Sequence, residues 1–378
     1  MQKKSVAKKR SSGESVASVT PVSVAPVVAG RLTMKDIARI AGVTLSTVSS
    51  ALHGTGRVSE TQRERIRQLA TEYGYRPRAA AQLLRGKSTG QIGLLLPGEE
   101  PSKVLRGGYA SIALGHLIKQ CEQRKLGYHI EFYANPVPGA ANPPRQLAGG
   151  LVDGVILCGY VDGGLREWLE GQDLYPWVSF EEPADYCVLS ATDDGVFNGV
   201  QHLSALGHRR IALVAGPQVY TLHRLGHEGF MRAVSAFGIR CRKEWVCVFS
   251  EEDRAGKQRE SLPWLRGLLV ARPEERPTAI VTLDIDVGCT VVYEAARSGL
   301  DVPRDLSVLA VGSDHDAESM LPCLSTVEMD AEAMAGQALD LLGWRLRDAL
   351  SEPQTRRLQP RLILRDTTAA PGVVGEGK

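Results

Sequence analysis

Residues 31–84 read RLTMKDIARIAGVTLSTVSSALHGTGRVSETQRERIRQLATEYGYRPRAAAQLL, and this stretch decides the architecture of the chain. Thr33-Met34-Lys35-Asp36 has the Ser/Thr-x-x-Asp/Glu spacing of a helix start, in which hydroxyl and carboxylate satisfy orphan backbone amides. Ile37, Ala38 and Ala41 follow at helical spacing, and Gly42 supplies a tight turn that calls for positive φ. Thr44 then caps a second helix over Leu45–Leu52, with Val48, Ala51 and Leu52 inward and His53-Gly54 ending it. This helix is small, hydroxyl-rich and uncharged. An ordinary surface helix carries Lys and Glu on its outer face. A helix pressed into a DNA groove needs hydroxyls that meet phosphates and base edges, and no carboxylate that phosphates would repel. Ser59, at capping-box spacing from Gln62, opens a third helix whose expected buried face is Ile66, Leu69, Ala70 and Tyr73. Pro77 forces the chain out of that helix. Residues 78–84 then place Ala81 and Leu84 on one face of a segment too short to hold a helix in water, expected to order on binding.

Charge is distributed in keeping with this reading. The whole chain is only +2, yet residues 31–87 hold 11 Lys or Arg against 4 Asp or Glu, and residues 1–30 hold 5 against 1. The remainder carries the compensating acidic excess, so positive charge is confined to the end that would face phosphates. Residues 1–30 are rich in Ser, Val, Ala and Pro after a basic start. Glu14, Pro21 and Pro26 interrupt any secretory apolar core, so a disordered basic tail is expected instead. No stretch is apolar and long enough to span a membrane, and the expected location is the cytoplasm, with nucleoid association.

Beyond the linker at residues 78–90, apolar runs alternate with helical stretches. Strands are expected at Gln91–Pro97, His129–Tyr133, Gly154–Cys158, Trp177–Phe180, Arg210–Val214, Ala279–Leu283 and Ser307–Val311. Helices are expected at Ser111–Lys125, Val196–Leu206, His227–Phe237 and Val287–Ser298. Such alternation predicts parallel sheets flanked by helices, and the length accommodates two similar subdomains. The expected organisation is a tail (1–30), a helix-turn-helix domain (31–77), a hinge and linker (78–90), a core (91–368) and a second tail (369–378).

The run AGVTLSTVS followed by GRVSE and GYRP resembles the head of the lactose-repressor (LacI/GalR) family of bacterial transcription regulators. Further along, DDGVFNGVQHLSALGHRRIALVAGP, Arg224 with Gly229-Phe230, and GLDVPRDLSV resemble the core of the same family, so the similarity extends over residues 31 to about 366. The resemblance implies an all-α helix-turn-helix head joined to an α/β core like type I periplasmic binding proteins. It also implies a homodimer that reads a pseudo-palindromic double-stranded operator and is controlled by a small-molecule effector, usually a sugar or derivative. Carried over by position, Thr44, Leu45, Ser46, Thr47, Ser49, Ser50 and Arg57 become candidate DNA contacts on the head. Arg78 becomes a hinge phosphate contact, and Ala81 with Leu84 the minor-groove wedge. His53 and Arg78 stand where the family usually has Asn, and Ser50 where it usually has Arg, which removes a potential bidentate guanine contact, so the preferred operator is expected to differ at that base pair.

In the core, Arg224 falls on the family's effector-binding Arg, whose fork of donors suits hydroxyls, carboxylates or phosphates. The family's second anchor, an Asp, falls on Ile285, leaving Asp284 and Asp286 as candidate substitutes. Trp168, Trp177, Tyr220 and Trp245 are either core residues or stacking faces for a ligand. The family's GFDD run is altered to Ala310-Val311-Gly312-Ser313-Asp314. These departures leave open an alternative, an effector-independent DNA-binding or architectural protein with a degenerate ligand site. The seven cysteines form no C-x-x-C pair and the eight histidines no metal spacing, so neither a metal nor another cofactor is expected. No nucleophile-elbow, P-loop or paired-carboxylate motif is present, which counts against an enzyme. No apolar heptad tail of the tetramer-forming kind follows the core.

Overall fold

The computed structural model describes residues 34–52, 56–73, 88–98, 105, 109–133, 144–160, 163–171, 175–250, 261–312, 317–348 and 352–372. The chain divides into two units, residues 1–78 and 79–378, each described by itself. In the first, helices Met34–Ala41 (α1), Leu45–Leu52 (α2) and Glu60–Glu72 (α3) close over Ile37, Ala38, Ala41, Val48, Ala51 and Ile66. Gly42 takes φ 68°, and the Val43 amide donates to the Ala38 carbonyl at 3.0 Å, which ends α1 with the expected turn. Both caps form. The Thr44 hydroxyl accepts from the Thr47 amide at 3.2 Å, and the Ser59 hydroxyl from the Gln62 amide at 3.4 Å. Tyr73 departs from expectation. It lies past the end of α3 and is 45% exposed, because Ile66 and Ala70 already fill the small core beneath that face. Arg78, Ala81 and Leu84, the residue Thr33 and the tail 1–30 lie outside the described residues.

The second unit holds two lobes. The first is a six-stranded parallel sheet of Gln91–Pro97 (β1), Gly127–Tyr133 (β2), Gly154–Cys158 (β3), Trp177–Phe180 (β4), Tyr186–Ser190 (β5) and Gln354–Leu358 (β11). Its order is β11-β5-β4-β3-β1-β2. Strands β3, β4 and β5 are buried throughout, as continuous apolar runs are when helices cover both sheet faces. Helices Tyr109–Gln123 (α4) and Ala331–Arg347 (α11) cover one face. The short helix Arg145–Ala148 (α5) and Gly163–Glu170 (α6) belong to the other, around Leu95, Leu147, Leu165 and Trp177.

The second lobe uses Ile211–Ala215 (β6), Val246–Val248 (β7), Ala279–Thr282 (β8), Ser307–Gly312 (β9), Ser325–Glu328 (β10) and Arg361–Ile363 (β12), in the order β12-β10-β9-β8-β6-β7. Helices Thr192–Ala205 (α7), Thr221–Ala236 (α8), Ser261–Leu269 (α9) and Ile285–Arg297 (α10) cover it. Here the expectation of purely parallel sheets is corrected at the edge. Strand β12 runs antiparallel to β10, with Thr326 opposite Ile363, because the chain enters from the end of β11 two residues earlier and Arg361 starts opposite Glu328, the C-terminal end of β10, so it can only run back along that strand. The chain passes between lobes after β5, after β10 and between β11 and β12.

Residues 369–372, expected to begin a tail, are part of the second lobe. His208, 1% exposed, has Nδ1 2.9 Å from the Thr278 hydroxyl and Nε2 2.8 Å from the Ala369 carbonyl. The Ala369 amide in turn donates to the Ser307 hydroxyl at 3.1 Å. Burial pulls the His208 pKa below its ordinary 6.5, against the opposing pull of the Ala369 carbonyl. The folded pKa is the lower one, so the unfolded chain binds the proton more tightly. The stability this contributes is full above about pH 6.5 and is lost as pH falls through the folded value. We expect the melting temperature to drop between pH 7 and pH 5.5, and His208→Asn to shrink that drop. An identical slope in the variant contradicts the assignment.

Candidate DNA-reading face and effector cleft

The outer side of α2 carries the predicted head residues as a group. Thr44, Leu45, Ser46 and Arg57 are exposed, and Thr47, Ser49 and Ser50 half-buried. Thr44 Oγ1 lies 2.8 Å from both the Ser46 and the Thr47 hydroxyls, so the three form one cluster at the N-terminus of α2. No charged residue occurs on α2, whose N-terminal amides and hydroxyl donors suit a phosphate or a base acceptor. Ser50 stands apart from that cluster. Its carbonyl accepts from Arg63 at 3.4 Å, and its hydroxyl lies where a side chain on Gly56 would clash.

In the core, residues just past the C-terminal ends of β3 and β4 meet residues that follow β6 across an interlobe gap, the strand end at which open α/β sheets bind ligands. Arg224 sits in the first turn of α8, donating to the Thr221 hydroxyl at 3.3 Å with Glu228 at 3.5 Å. Helix α8 begins six residues earlier than the sequence spacing predicts, and this brings Arg224 into the helix. Asp284 is the N-cap of α10, accepting from the Val287 amide at 3.1 Å, and Asp286 lies in the first turn of that helix. Between them Ile285 fills the space over Gly312, where an added Cβ would come within 2.5 Å of it. Of the aromatic candidates, Trp177 and Trp245 are core, 7% and 2% exposed, and Trp168 is packed against the core. Tyr220 instead lies at the gap, 5.9 Å edge-to-face from Tyr160 of the first lobe and 6.3 Å from His223.

Several polar residues here escaped the sequence reading. Glu182, 8% exposed, accepts from the Thr221 amide at 3.1 Å and the Thr221 hydroxyl at 2.6 Å. Arg357 on β11 binds Asp193 at the start of α7, and Arg232 on α8 reaches Asp194 at 2.8 Å. The Arg232 hydrogen bond holds the Asp194 carboxyl below the ordinary carboxylate range. Asp153, at the foot of β3, accepts from Ser88 Oγ at 2.6 Å, Thr89 N at 2.6 Å, Thr89 Oγ1 at 2.8 Å and Gly90 N at 2.7 Å. Burial works against its ionisation, but these donors together hold its pKa below the ordinary value. Asp193 and Asp194 open the run DDGVFNG, which resembles the family but gave them no role, while Glu-Glu after a buried strand and Asp before an apolar one were the only marks of Glu182 and Asp153, and solvated loops carry the same signals.

A family model described as bacterial regulatory proteins, lacI family, matches residues 33–78, and one described as a periplasmic binding protein-like domain matches residues 200–368. The chain thus matches the lacI regulatory family in its head and a periplasmic binding protein-like domain in its second lobe. It is 27% identical over 347 residues to the HTH-type transcriptional repressor PurR of Actinobacillus pleuropneumoniae serotype 3 (strain JL03), covering 88% of this chain and 97% of PurR. The crystal structure of the lac repressor dimer bound to operator and the anti-inducer ONPF shares the fold, with TM-score 0.75 and 23% identity over 90% of this regulator and 100% of that chain. A complex of the transcriptional regulator CelR with cellobiose shares it at TM-score 0.62 and 24% identity, over 89% and 100% of the two chains. The relatives matched along most of their length are transcriptional repressors and regulators. No helix among the described residues is long and apolar enough to cross a membrane.

Proposed function

We propose that this regulator is a dimeric repressor that binds a pseudo-palindromic operator through α2 and changes its operator affinity when a small molecule enters the gap beside Arg224. The observation that carries the DNA half is the uncharged, hydroxyl-clustered outer face of α2 over a closed three-helix core. Two such heads related by a twofold axis read adjacent major grooves, and paired hinge segments with Ala81 and Leu84 occupy the minor groove between them. Arg78 and Arg57 add phosphate contacts. The regulator acts in the cytoplasm, associated with the nucleoid. Its test is the affinity for a duplex selected from a random library against a scrambled duplex at about 150 mM salt. A preference of at least about 1000-fold is expected of a specific regulator. Leu84→Ala should lower affinity for the selected duplex tenfold or more and leave the scrambled one unchanged, and equal losses on both contradict the wedge.

The effector half is supported by Arg224 at the mouth of the gap with a free side to its guanidinium, 43% exposed. A sugar or sugar derivative matches the cellobiose bound by CelR and the donor chemistry of Arg224. A second reading, a regulator without an effector, is favoured by Ile285 in the carboxylate position and by Asp284 being spent as a helix cap. Calorimetry against monosaccharides, sugar acids and sugar phosphates separates the two, since heat of binding lost in Arg224→Ala supports the first.

A further inference from the structure

We propose that Glu182 and Thr221 form a clasp between the two lobes that holds the core closed without an effector. The inference rests on the reading of the second unit as an effector core. Glu182 follows β4 of the first lobe, and Thr221 begins α8, whose Phe230 and Ala233 are packed in the second lobe. One carboxylate therefore takes both donors of one residue across the gap, and both residues are buried, at 8% and 3% exposure. Such a charge-assisted pair is strong where water is excluded and lost altogether once the lobes part.

Two independent features converge on the same place. Glu181 holds φ 75°, a left-handed conformation that is unfavourable for a non-glycine residue and persists only where surroundings enforce it. Its amide is pinned to the Val188 carbonyl at 2.9 Å, which aims the following Glu182. Beside it, Tyr160 of the first lobe meets Tyr220 of the second edge-to-face, so ring contact and hydrogen bonds span one gap. The Arg357–Asp193 pair differs in kind, because Asp193 follows the crossing after β5 and Arg357 precedes the one after β11. Rotation about the crossings leaves that pair short and separates Glu182 from Thr221. The clasp is thus a closure contact, and Arg357–Asp193 a hinge contact. Closure without ligand sets the population from which any effector must shift the core.

The test is hydrogen exchange of the full-length regulator without added ligand, read at the segment 216–226. Glu182→Ala should accelerate exchange of the Thr221 amide tenfold or more, with no change in segment 307–312 of β9. Thr221→Val alone should accelerate it less, and added to Glu182→Ala should accelerate it no further. The isosteric Glu182→Gln, which keeps an acceptor, should fall between wild type and alanine and serves if the alanine variant fails to fold. Exchange within twofold of wild type in Glu182→Ala, or additive acceleration in the double variant, overturns the clasp. With the selected duplex as probe, Glu182→Ala should also shift effector-free affinity at least fivefold at constant affinity for scrambled DNA. Faster exchange with no such shift overturns the coupling to DNA. A wild type that does not prefer the selected duplex overturns the regulator reading and leaves the exchange result standing.

Discussion

Gly229→Val is expected to lower the melting temperature of the core by roughly 5–10 °C, the loss of about 3 kcal/mol that forced overpacking inflicts on a unit of this size. A Cβ at Gly229 would lie 2.0 Å from the Asp193 carbonyl oxygen, with the Asp193 Cα only 2.7 Å away. Those atoms are backbone and cannot swing aside. Helices α7 and α8 must therefore separate, and they carry the residues on which the core's polar network rests, Asp193 and Asp194 on one and Arg224 and Arg232 on the other. Differential scanning calorimetry would show the shift, and a core transition unmoved by the substitution would mean that the helices have room to spare.

Val48→Lys is expected to abolish operator recognition, a loss of at least about 1000-fold that brings affinity to the non-specific level. Val48 is fully buried at the centre of the three-helix head, between Ile37 and Ile66. A domain of this length buries little surface and is marginal from the start, so an unpaired ammonium in its core leaves no folded state to populate. Residues 79–378 form their own unit, and their melting transition should be unchanged. Fluorescence anisotropy with the selected duplex and a thermal melt of the same sample check both halves. Retained operator preference would show that the head core tolerates charge and that its closure does not govern DNA reading.

The head was legible in sequence almost residue by residue. Its caps, its turn glycine and its inward positions are local signals, and Tyr73 went astray because the sequence pattern does not say where a small core is already full. In the core, the long apolar runs of β1, β3, β6 and β9 announced themselves. Helix α11 did not, although its inner face joins Ala331, Ala335 and Ala338 to Met334, Leu339, Leu341 and Leu342, and β12 reads as a fragment of a charged tail. The gap between lobes was least legible. Arg224 could be placed through family resemblance, but Glu182, Tyr160 and Asp153 acquire meaning only from segments far away in the chain, which no local spacing reveals.

Asp153 has a mechanical consequence. Four short hydrogen bonds rivet residues 88–90 to the foot of β3, and the Gly127 amide at the start of β2 donates to the Gly90 carbonyl at 3.1 Å. The strap entering the core has no slack at its last three residues. Any tilt of the first lobe is delivered undamped to residue 88.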